Sequence, residues 1–222
     1  NENRSHPPLT ETVTPLNTQN HFDSEVVHAG QSPEQVTGAV MPPVFLSSTY
    51  AQESPGVHSG YEYTRSHNPT RYALERCVAR LEGSTISEEQ DPSFGGFAFS
   101  SGMAAIGTVL ELLDSEQHVV AMDDLYGGTH RLFTDRNRSS GLQFTFANLT
   151  DLSSLEEAIT DNTKLIWIET PSNPMLKLVD LEGVVSIAKD RDILLACDNT
   201  FASPAIHTPL DFGFDIVMHS AT

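Results

Sequence analysis

The stretch that decides the fold is residues 164–200, which read KLIWIETPSNPMLKLVDLEGVVSIAKDRDILLACDNT. It contains two short apolar runs, LIWI and ILLAC, on either side of an amphipathic segment that favours a helix over 181–190. Continuous apolar runs of this length are typical of strands buried on both faces of a parallel sheet. The stretch therefore predicts a strand, a helix and a second parallel strand, with polar residues where each strand ends.

The same alternation extends outward on both sides. Further apolar runs that predict strands are FAFS at 97–100, HVVAM at 118–122, QFTFA at 143–147 and DIVMHS at 215–220. The helices predicted between them cover 102–113, 128–138 and 152–159. Strands that alternate with helices form a mainly parallel sheet with helices on both faces, so the predicted fold class is α/β.

The N-terminal part of the chain has a different pattern. Residues 1–20 are polar and aperiodic, and we expect them to form a disordered tail. Residues 21–60 contain four prolines, which favours an extended N-terminal arm because proline fixes φ and cannot donate to a sheet. Residues 61–222 are predicted to form one large domain.

Helix signals mark the entry to this domain. Asn68 and Pro69 predict the start of a helix that ends before Gly83. The acidic segment 84–96, with its proline and two glycines, is predicted to be an inserted surface loop.

Composition excludes several classes of partner and site. The formal net charge is -18, which disfavours nucleic acid and anionic membranes as partners because both require basic surface. No run of 18 apolar residues is present, so no membrane span is predicted. The two cysteines, Cys77 and Cys197, form no CxxC motif and no Cys/His cluster. A reducing cytoplasm and the absence of a metal site are therefore expected.

Polar clusters stand where the predicted strands end. They are SSGM at 100–103, DDLYGG at 123–128, ETPSNP at 169–174, DNTF at 198–201 and HSAT at 219–222. In open α/β sheets the ligand lies at the carboxyl ends of the strands. The sequence therefore predicts one crevice that all five clusters line.

Two of these clusters suit an anion such as phosphate. Ser101 and Gly102 lie at a strand-to-helix turn, where backbone amides point out of a helix N-terminus. The alternative is an ordinary turn with a capping serine. Ser220 and Thr222 offer hydroxyl donors, although a strand that ends in small hydroxyl residues explains them equally well.

Asp198 and Tyr126 suit a flat ligand with a cationic nitrogen. The carboxylate of Asp198 follows an apolar strand, and burial raises the pKa of such a group unless a cation is paired with it. The alternative for Asp198 is a turn-forming aspartate. Tyr126, before two glycines, could stack on a flat ring or could be a packing residue.

The segment GYEYTRSHNPTR at 60–71 is the most specific feature of the chain. Tyr63 and Arg65 point the same way if the segment is extended. Arginine binds phosphate through two parallel hydrogen bonds, and a phenol adds a neutral donor. A solvated arginine beside a packed tyrosine is the alternative.

Together these motifs resemble the Cys/Met-metabolism enzymes that depend on pyridoxal 5'-phosphate (PLP), in particular their γ-subfamily. The resemblance runs from about His21 to Thr222 and rests on six ordered signatures. These are GYEYTRSHNPTR, SSGMAA, MDDLYGGTHRLF, WIETPSNP, DNTFASP and HSAT. It implies PLP as cofactor and the fold of PLP-dependent transferases of aminotransferase type I. That fold has a seven-stranded type of sheet and a C-terminal domain that this chain lacks.

The resemblance also implies which residues bind the phosphate of the cofactor. Gly102 and Met103, next to Ser101, are similar to the residues whose backbone donates to the phosphate. Ser220 and Thr222 are similar to the residues whose hydroxyls join them.

A second group of residues is expected from the family around the rest of the cofactor and in a neighbouring subunit. Tyr63 and Arg65 resemble the pair that reaches the phosphate in the next subunit. Tyr126 resembles the tyrosine that stacks on the pyridine ring and assists catalysis, and Asp198 the partner of the ring nitrogen. The resemblance places Asn173 and Thr200 near the phenolic oxygen or the face of the ring, and Arg131 near the substrate entrance.

The implied activity is a PLP-dependent lyase that cleaves the Cγ–S bond of L-cystathionine. The alternatives are γ-replacement on an acylated homoserine and, from a different class, an inactive scaffold with the same fold. The family places the lysine that carries the cofactor directly after HSAT, so these 222 residues alone are not expected to be active. The resemblance also implies a homotetramer built from two dimers, in which each active site is shared between two subunits.

Overall fold

A computed structural model describes residues 22–88 and 90–221, so the predicted tail 1–20 and Thr222 lie outside the described residues. In chain order the elements are α1 (Phe22–His28), α2 (Pro69–Leu81), α3 (Gly102–Leu110), β1 (His118–Met122), α4 (Gly127–Ser140), β2 (Gln143–Ala147), α5 (Leu152–Ala158), β3 (Thr163–Glu169), α6 (Leu181–Ala188), β4 (Leu194–Asp198), α7 (Pro209–Phe212) and β5 (Ile216–Met218).

Within the described residues the sheet has five strands in the order β2-β1-β3-β4-β5, and every neighbouring pair is parallel. This confirms the predicted α/β class. In the register, Glu169 at the end of β3 lies opposite Asp198 at the end of β4. Asp198 in turn lies opposite Met218 at the end of β5. Three strands therefore end side by side at one edge of the sheet.

The order of the strands reverses between β1 and β3. From β1 the chain moves outward to β2, then passes back beyond β1 to β3 and continues to β4 and β5. Right-handed crossovers place α4 on one face of the sheet and α5, α6 and α7 on the other. The helix contacts agree, because α3 packs on α4 whereas α6 packs on α5 and α7. A reversal of this kind opens a crevice at the carboxyl ends of the two flanking strands.

The core lies along the central strands. All five residues of β1 are buried, and the LIWI run of β3 is completely inaccessible to solvent. Trp167 of β3 contacts the edge of Phe133 from α4 at a centroid distance of 5.7 Å. Phe133 also stacks on Phe144 of β2 at 5.0 Å. The prediction that the apolar runs are strands buried on both faces is confirmed for β3 and most of β4.

Helix α2 begins and ends where its sequence predicts. The side chain of Asn68 accepts hydrogen bonds from the backbone of Thr70 and Arg71, and Pro69 is the first helical residue. Gly83 follows the helix with φ of +80°, a conformation that glycine adopts without strain.

Two segments differ from the prediction. The run 97–100 is not a strand, and the side chain of Phe97 is 70% exposed. An apolar run becomes a strand only if the edge of a sheet is available to pair with it. Among the described residues, no strand pairs with residues 97–100. Within the predicted arm, residues 22–28 form helix α1, which packs on α2.

The segment 84–96, described except for residue 89, is a loop as predicted. It is tied to α2 by Arg76, whose guanidinium donates to the carbonyl of Pro92 and pairs with Glu88 at 2.8 Å. In the ranges 22–88 and 90–221 there is no helix long and apolar enough to cross a membrane.

Candidate active site

The centre of the crevice is Glu169, which the sequence-based list of site residues did not include. Its Oε2 accepts a hydrogen bond from the backbone amide of Tyr126 at 2.9 Å. The backbone of Asn173 also lies near enough to this carboxylate to lower its pKa. One side chain at the end of β3 thus lies against the loop after β1 and the loop after β3, the two loops that flank the strand reversal. An acid that directly follows a fully apolar strand is the signal that identifies it.

Asp198 lies beside Glu169 at the end of β4 and is 7% exposed. Its Oδ1 accepts from the backbone amide of Thr200 at 3.0 Å, which closes a tight turn after the strand. No described residue forms a salt bridge with it. The structure thus places this carboxylate at the end of the apolar strand β4, as the sequence indicates.

Burial shifts the pKa of both carboxyls upward. Loss of hydration raises the pKa of Glu169 from 4.5 to about 7, against the backbone of Tyr126 and of Asn173, which lower it, and the nearby charge of Asp198 raises it further. Loss of hydration also raises the pKa of Asp198, opposed by its hydrogen bonds to Thr200 and by the charge of His219. Two adjacent acids in a buried crevice favour a cationic ligand atom between or beside them.

The end of β5 meets the N-terminus of α3. A Cβ atom placed on Gly102 would lie 3.1 Å from Cβ of Ser220, so glycine permits this close approach. The backbone amide of Ser220 donates to Oγ1 of Thr200 at 2.9 Å. Ser101 caps α3 by accepting from the amide of Ala104 at 3.1 Å. The structure therefore brings together three residues that the sequence assigned to an anion site, Ser101, Gly102 and Ser220, with Thr200 beside them.

Tyr126 lies against the N-termini of α3 and α4. A Cβ atom on Gly128 would come within 2.5 Å of the Tyr126 ring and 2.9 Å of the sulfur of Met103. The ring therefore occupies the space that a side chain at 128 would fill, and it remains 48% exposed. Arg131, one turn into α4, folds back so that its guanidinium lies 3.5 Å from the position of a Cβ on Gly127.

Tyr63 and Arg65 lie in the arm. The guanidinium of Arg65 lies over the ring of Tyr63, 5.0 Å from its centroid, and both side chains are exposed. Within the described ranges, no hydrogen bond or ion pair joins either side chain to the residues at the strand ends. The structure therefore does not place this pair in the crevice of its own chain.

Comparison with known proteins agrees with this geometry. The sequence model of the "Cys/Met metabolism PLP-dependent enzyme" family matches residues 23–222. The chain belongs to this family. PLP is therefore its cofactor.

Two similar proteins and one solved structure show the spread of names in the family. The chain is 56% identical to "Cystathionine beta-lyase" of Coxiella burnetii over 93% of its length and 51% of that protein. It is 47% identical to "Cystathionine gamma-lyase" of Homo sapiens over 91% of its length and 48% of that protein. The structure of cystathionine gamma-lyase from Lactobacillus plantarum complexed with L-serine matches with a TM-score of 0.83 and 41% identity, over 90% of this chain and 50% of that one. The chain thus spans about half the length of the curated relatives it matches.

The residues of the crevice fit PLP. Asp198 is a buried carboxylate without an ion-pair partner in the described part of the chain, which suits the protonated nitrogen of a pyridine ring. The amides at the N-terminus of α3, opened by Gly102, suit the phosphate group. In residues 22–88 and 90–221 no group of acids, histidines and cysteines is arranged to hold a metal ion.

The raised pKa of Glu169 predicts a pH dependence of stability. An acid whose pKa is higher in the folded state binds its proton more tightly there, so the free energy of unfolding falls as pH rises through that interval. We expect the free energy of unfolding of the cofactor-free protein to fall by up to about 3 kcal/mol between pH 4.5 and 7 because of Glu169, since a shift of one pKa unit corresponds to about 1.36 kcal/mol. Urea unfolding of the wild type and of Glu169→Gln at a series of pH values measures it. The free energy of unfolding of the wild type, relative to that of Glu169→Gln, should fall as pH rises, and a difference that is constant with pH would contradict the assignment.

Proposed function

We propose that the protein is a PLP-dependent carbon–sulfur lyase that cleaves the Cγ–S bond of L-cystathionine. The products are L-cysteine, 2-oxobutyrate and ammonia, formed with the uptake of one water molecule. The observation that carries the proposal is the convergence of Tyr126, Asp198, Thr200 and Ser220 at one edge of the sheet, from the segments that follow three different strands, β1, β4 and β5. Family membership supports the cofactor and the class of reaction.

The phosphate of the cofactor is assigned to the N-terminus of α3 and the end of β5. Backbone amides of Gly102 and Met103, beside Ser101, donate to it, and the hydroxyls of Ser220 and Thr222 complete the site. The helix end adds a positive partial charge that favours the anion. Thr222 lies outside the described residues, so its part rests on the resemblance alone.

The ring of the cofactor is assigned to the space between Tyr126 and Asp198. Tyr126 stacks on one face, Asp198 holds a proton at the ring nitrogen, and Asn173 and Thr200 lie near the phenolic oxygen or the face of the ring. Glu169 fixes Tyr126 through its backbone amide and also lies near the backbone of Asn173.

Bound PLP supplies an electron sink for the bonds around the substrate α-carbon. We assign the phenol of Tyr126 to proton transfer or to assistance of the leaving group, a role for which its half-exposed ring is accessible to a substrate. Arg131 is assigned to the substrate entrance, where its exposed guanidinium can attract the carboxylates of cystathionine. Together with the lysine expected after Thr222, these side chains bind the substrate and move its protons.

Cleavage at the other side of the sulfur is the main competing reaction. This reaction breaks the Cβ–S bond and gives homocysteine, pyruvate and ammonia. The 56% identity to a protein named cystathionine beta-lyase favours it. Replacement at Cγ of an acylated homoserine is the other alternative. An inactive scaffold would bind PLP weakly or not at all.

Product analysis separates these reactions. We expect the protein expressed from its complete gene to release 2-oxobutyrate and cysteine when incubated with L-cystathionine alone. Pyruvate and homocysteine in excess would establish the beta-lyase reaction instead. Turnover only with an acylated homoserine plus cysteine would establish a synthase, and a protein that binds no PLP would be a scaffold.

We infer that the active unit contains at least two copies of the chain, as in a dimer or a tetramer of two dimers. The described part of the arm exposes a row of large apolar side chains, each at least 71% accessible: Val36, Val40, Met41, Val44 and Leu46. Apolar surface of this extent is typical of a protein interface. The arm would then bring Tyr63 and Arg65 to the phosphate in the neighbouring copy.

We further infer a cytoplasmic location. Cys77 and Cys197 are both free thiols, and Cys197 is fully buried in β4. Free thiols are typical of proteins kept in a reducing compartment.

A further inference from the structure

Glu82 is a buried carboxylate outside the sites assigned above. It caps the C-terminus of α2 and is only 3% exposed. Its Oε1 accepts a hydrogen bond from the side-chain amide of Asn199 at 2.9 Å and forms an ion pair with Nε2 of His219. One oxygen atom from α2 therefore contacts two side chains that follow two different strands.

The two partners of Glu82 are the chain neighbours of two residues assigned to the cofactor. Asn199 directly follows Asp198, and His219 directly precedes Ser220. The same two chain segments are joined by backbone hydrogen bonds, from the amide of Asn199 to the carbonyl of Met218 at 2.9 Å and from Ser220 to Thr200. Glu82 adds a side-chain connection between the same two segments through its contacts with Asn199 and His219.

The burial of the cluster makes the contact difficult to replace with water. Asn199 is completely inaccessible to solvent, and its side-chain nitrogen has one further bond, to the carbonyl of His207 at 3.0 Å. A buried donor or acceptor that loses its partner keeps the full penalty of its desolvation. The segments after β4 and β5 are therefore expected to rearrange when the carboxylate is removed.

Charge links the same cluster to Asp198. The ionisable groups that interact with the Asp198 carboxylate are Glu169 from β3 and His219 from the segment after β5. Glu82 contacts His219, and its charge also acts on His207. The charge of His219 lowers the pKa of Asp198 and so favours the ionised form that a pyridinium nitrogen requires. The ion pair with Glu82 keeps the imidazole of His219 in this position.

We propose that Glu82 is a positioning residue for the cofactor, which acts through His219 and Asn199 to hold Asp198 and Ser220 at the spacing that a single PLP molecule requires. The inference rests on the proposed assignment of Asp198 to the ring nitrogen and of Ser220 to the phosphate. It adds α2, the helix that follows the arm, to the elements that shape the site.

Cofactor titration of the protein expressed from its complete gene tests the proposal. In Glu82→Gln an amide oxygen still accepts hydrogen bonds, but the negative charge is lost. We expect the dissociation constant for PLP to rise about 10-fold, the effect typical of residues that orient a ligand-binding side chain. The matched control is Glu75→Gln, because Glu75 is also buried on α2 at 6% exposure and also pairs with a cation, Arg71 at 3.2 Å. It should bind PLP as the wild type does.

A double-mutant comparison shows whether Glu82 acts through its partner. His219→Gln should weaken PLP binding to a similar extent, and the double variant should be no weaker than the worse single variant. Simple multiplication of the two effects would overturn the proposal, as would an unchanged PLP affinity in Glu82→Gln or an equal loss in Glu75→Gln. If Glu82→Gln does not fold, His219→Gln decides the matter, since a wild-type affinity there would overturn it. A wild-type protein that fails to bind PLP would instead refute the proposed function.

Discussion

Asp198→Ala is expected to lower kcat/KM on the order of 10³-fold while the fold is retained. This loss corresponds to a rise of several kcal/mol in the activation free energy. The carboxylate is the only acid that the proposed function assigns to the ring nitrogen, and without it the nitrogen loses the proton that makes the ring an electron sink. The substitution removes the hydrogen bond that the amide of Thr200 donates to Asp198. It also removes a carboxyl whose ionised form is disfavoured by burial, so we expect only a small loss of folding stability. Steady-state kinetics with the substrate identified by product analysis measures kcat/KM. Circular dichroism and thermal unfolding show whether the fold is retained.

The matched control for this variant lies beyond the opposite end of the same strand. Asp192 precedes β4, is highly exposed and pairs with Lys164. Asp192→Ala removes one acid from the same part of the fold without touching the crevice, so it should keep nearly normal kinetics. Near-normal turnover in Asp198→Ala would remove this residue from the catalytic site.

Arg65→Ala is expected to weaken PLP binding by roughly 2–5 kcal/mol, the range found when one side of a desolvated charge pair is removed. Arg65 belongs to the arm and makes no ion pair within the described part of its own chain, which suits a phosphate in another copy. Arg65→Lys should recover only part of the affinity, because lysine cannot form two parallel hydrogen bonds to the anion. Arg138→Ala, an exposed arginine in the last turn of α4, is the control that should have no effect.

Mixed dimers test whether the arm serves its own site or that of its neighbour. In a dimer of one Arg65→Ala chain and one Asp198→Ala chain, a shared arrangement assembles one site from two intact residues and one site with both defects. Co-refolded mixtures should therefore regain activity that neither variant has alone. If heterodimers form and remain as inactive as the parents, each arm binds within its own subunit and the proposed sharing is wrong.

Sequence patterns located the strands β1 to β5 and the edge of the sheet that forms the site, although they also predicted a strand at 97–100 that does not form. The run HVVAM coincides with β1 because a parallel strand covered on both faces needs a nearly continuous apolar run, and QFTFA, in which apolar and polar residues alternate, coincides with the half-buried edge strand β2. The polar residues that follow such a run can only lie at its carboxyl end. For this reason the positions of Tyr126, Asp198 and Ser220 at one edge of the sheet could be predicted without knowledge of the strand order.

The supporting carboxylates could not be found in the same way. Glu169 contacts Tyr126, and Glu82 contacts Asn199 and His219, at separations of 43 to 137 positions in the sequence. Such pairs depend on strand order and helix placement, which local periodicity does not contain. The run FAFS shows the opposite error, because its apolar pattern is typical of a strand but the pattern cannot indicate whether a neighbouring strand is available.

The strand order has a consequence for synthesis on the ribosome. The chain is made from its N-terminus, so β1, α4 and β2 emerge together and can pair before the rest of the sheet exists. The other edge of β1 must wait for β3, which begins 41 residues after β1 ends (Met122 to Thr163), and each later pairing also requires a finished crossover. During this interval the most apolar strand of the nascent chain has an unpaired edge, the kind of surface that chaperones protect from aggregation.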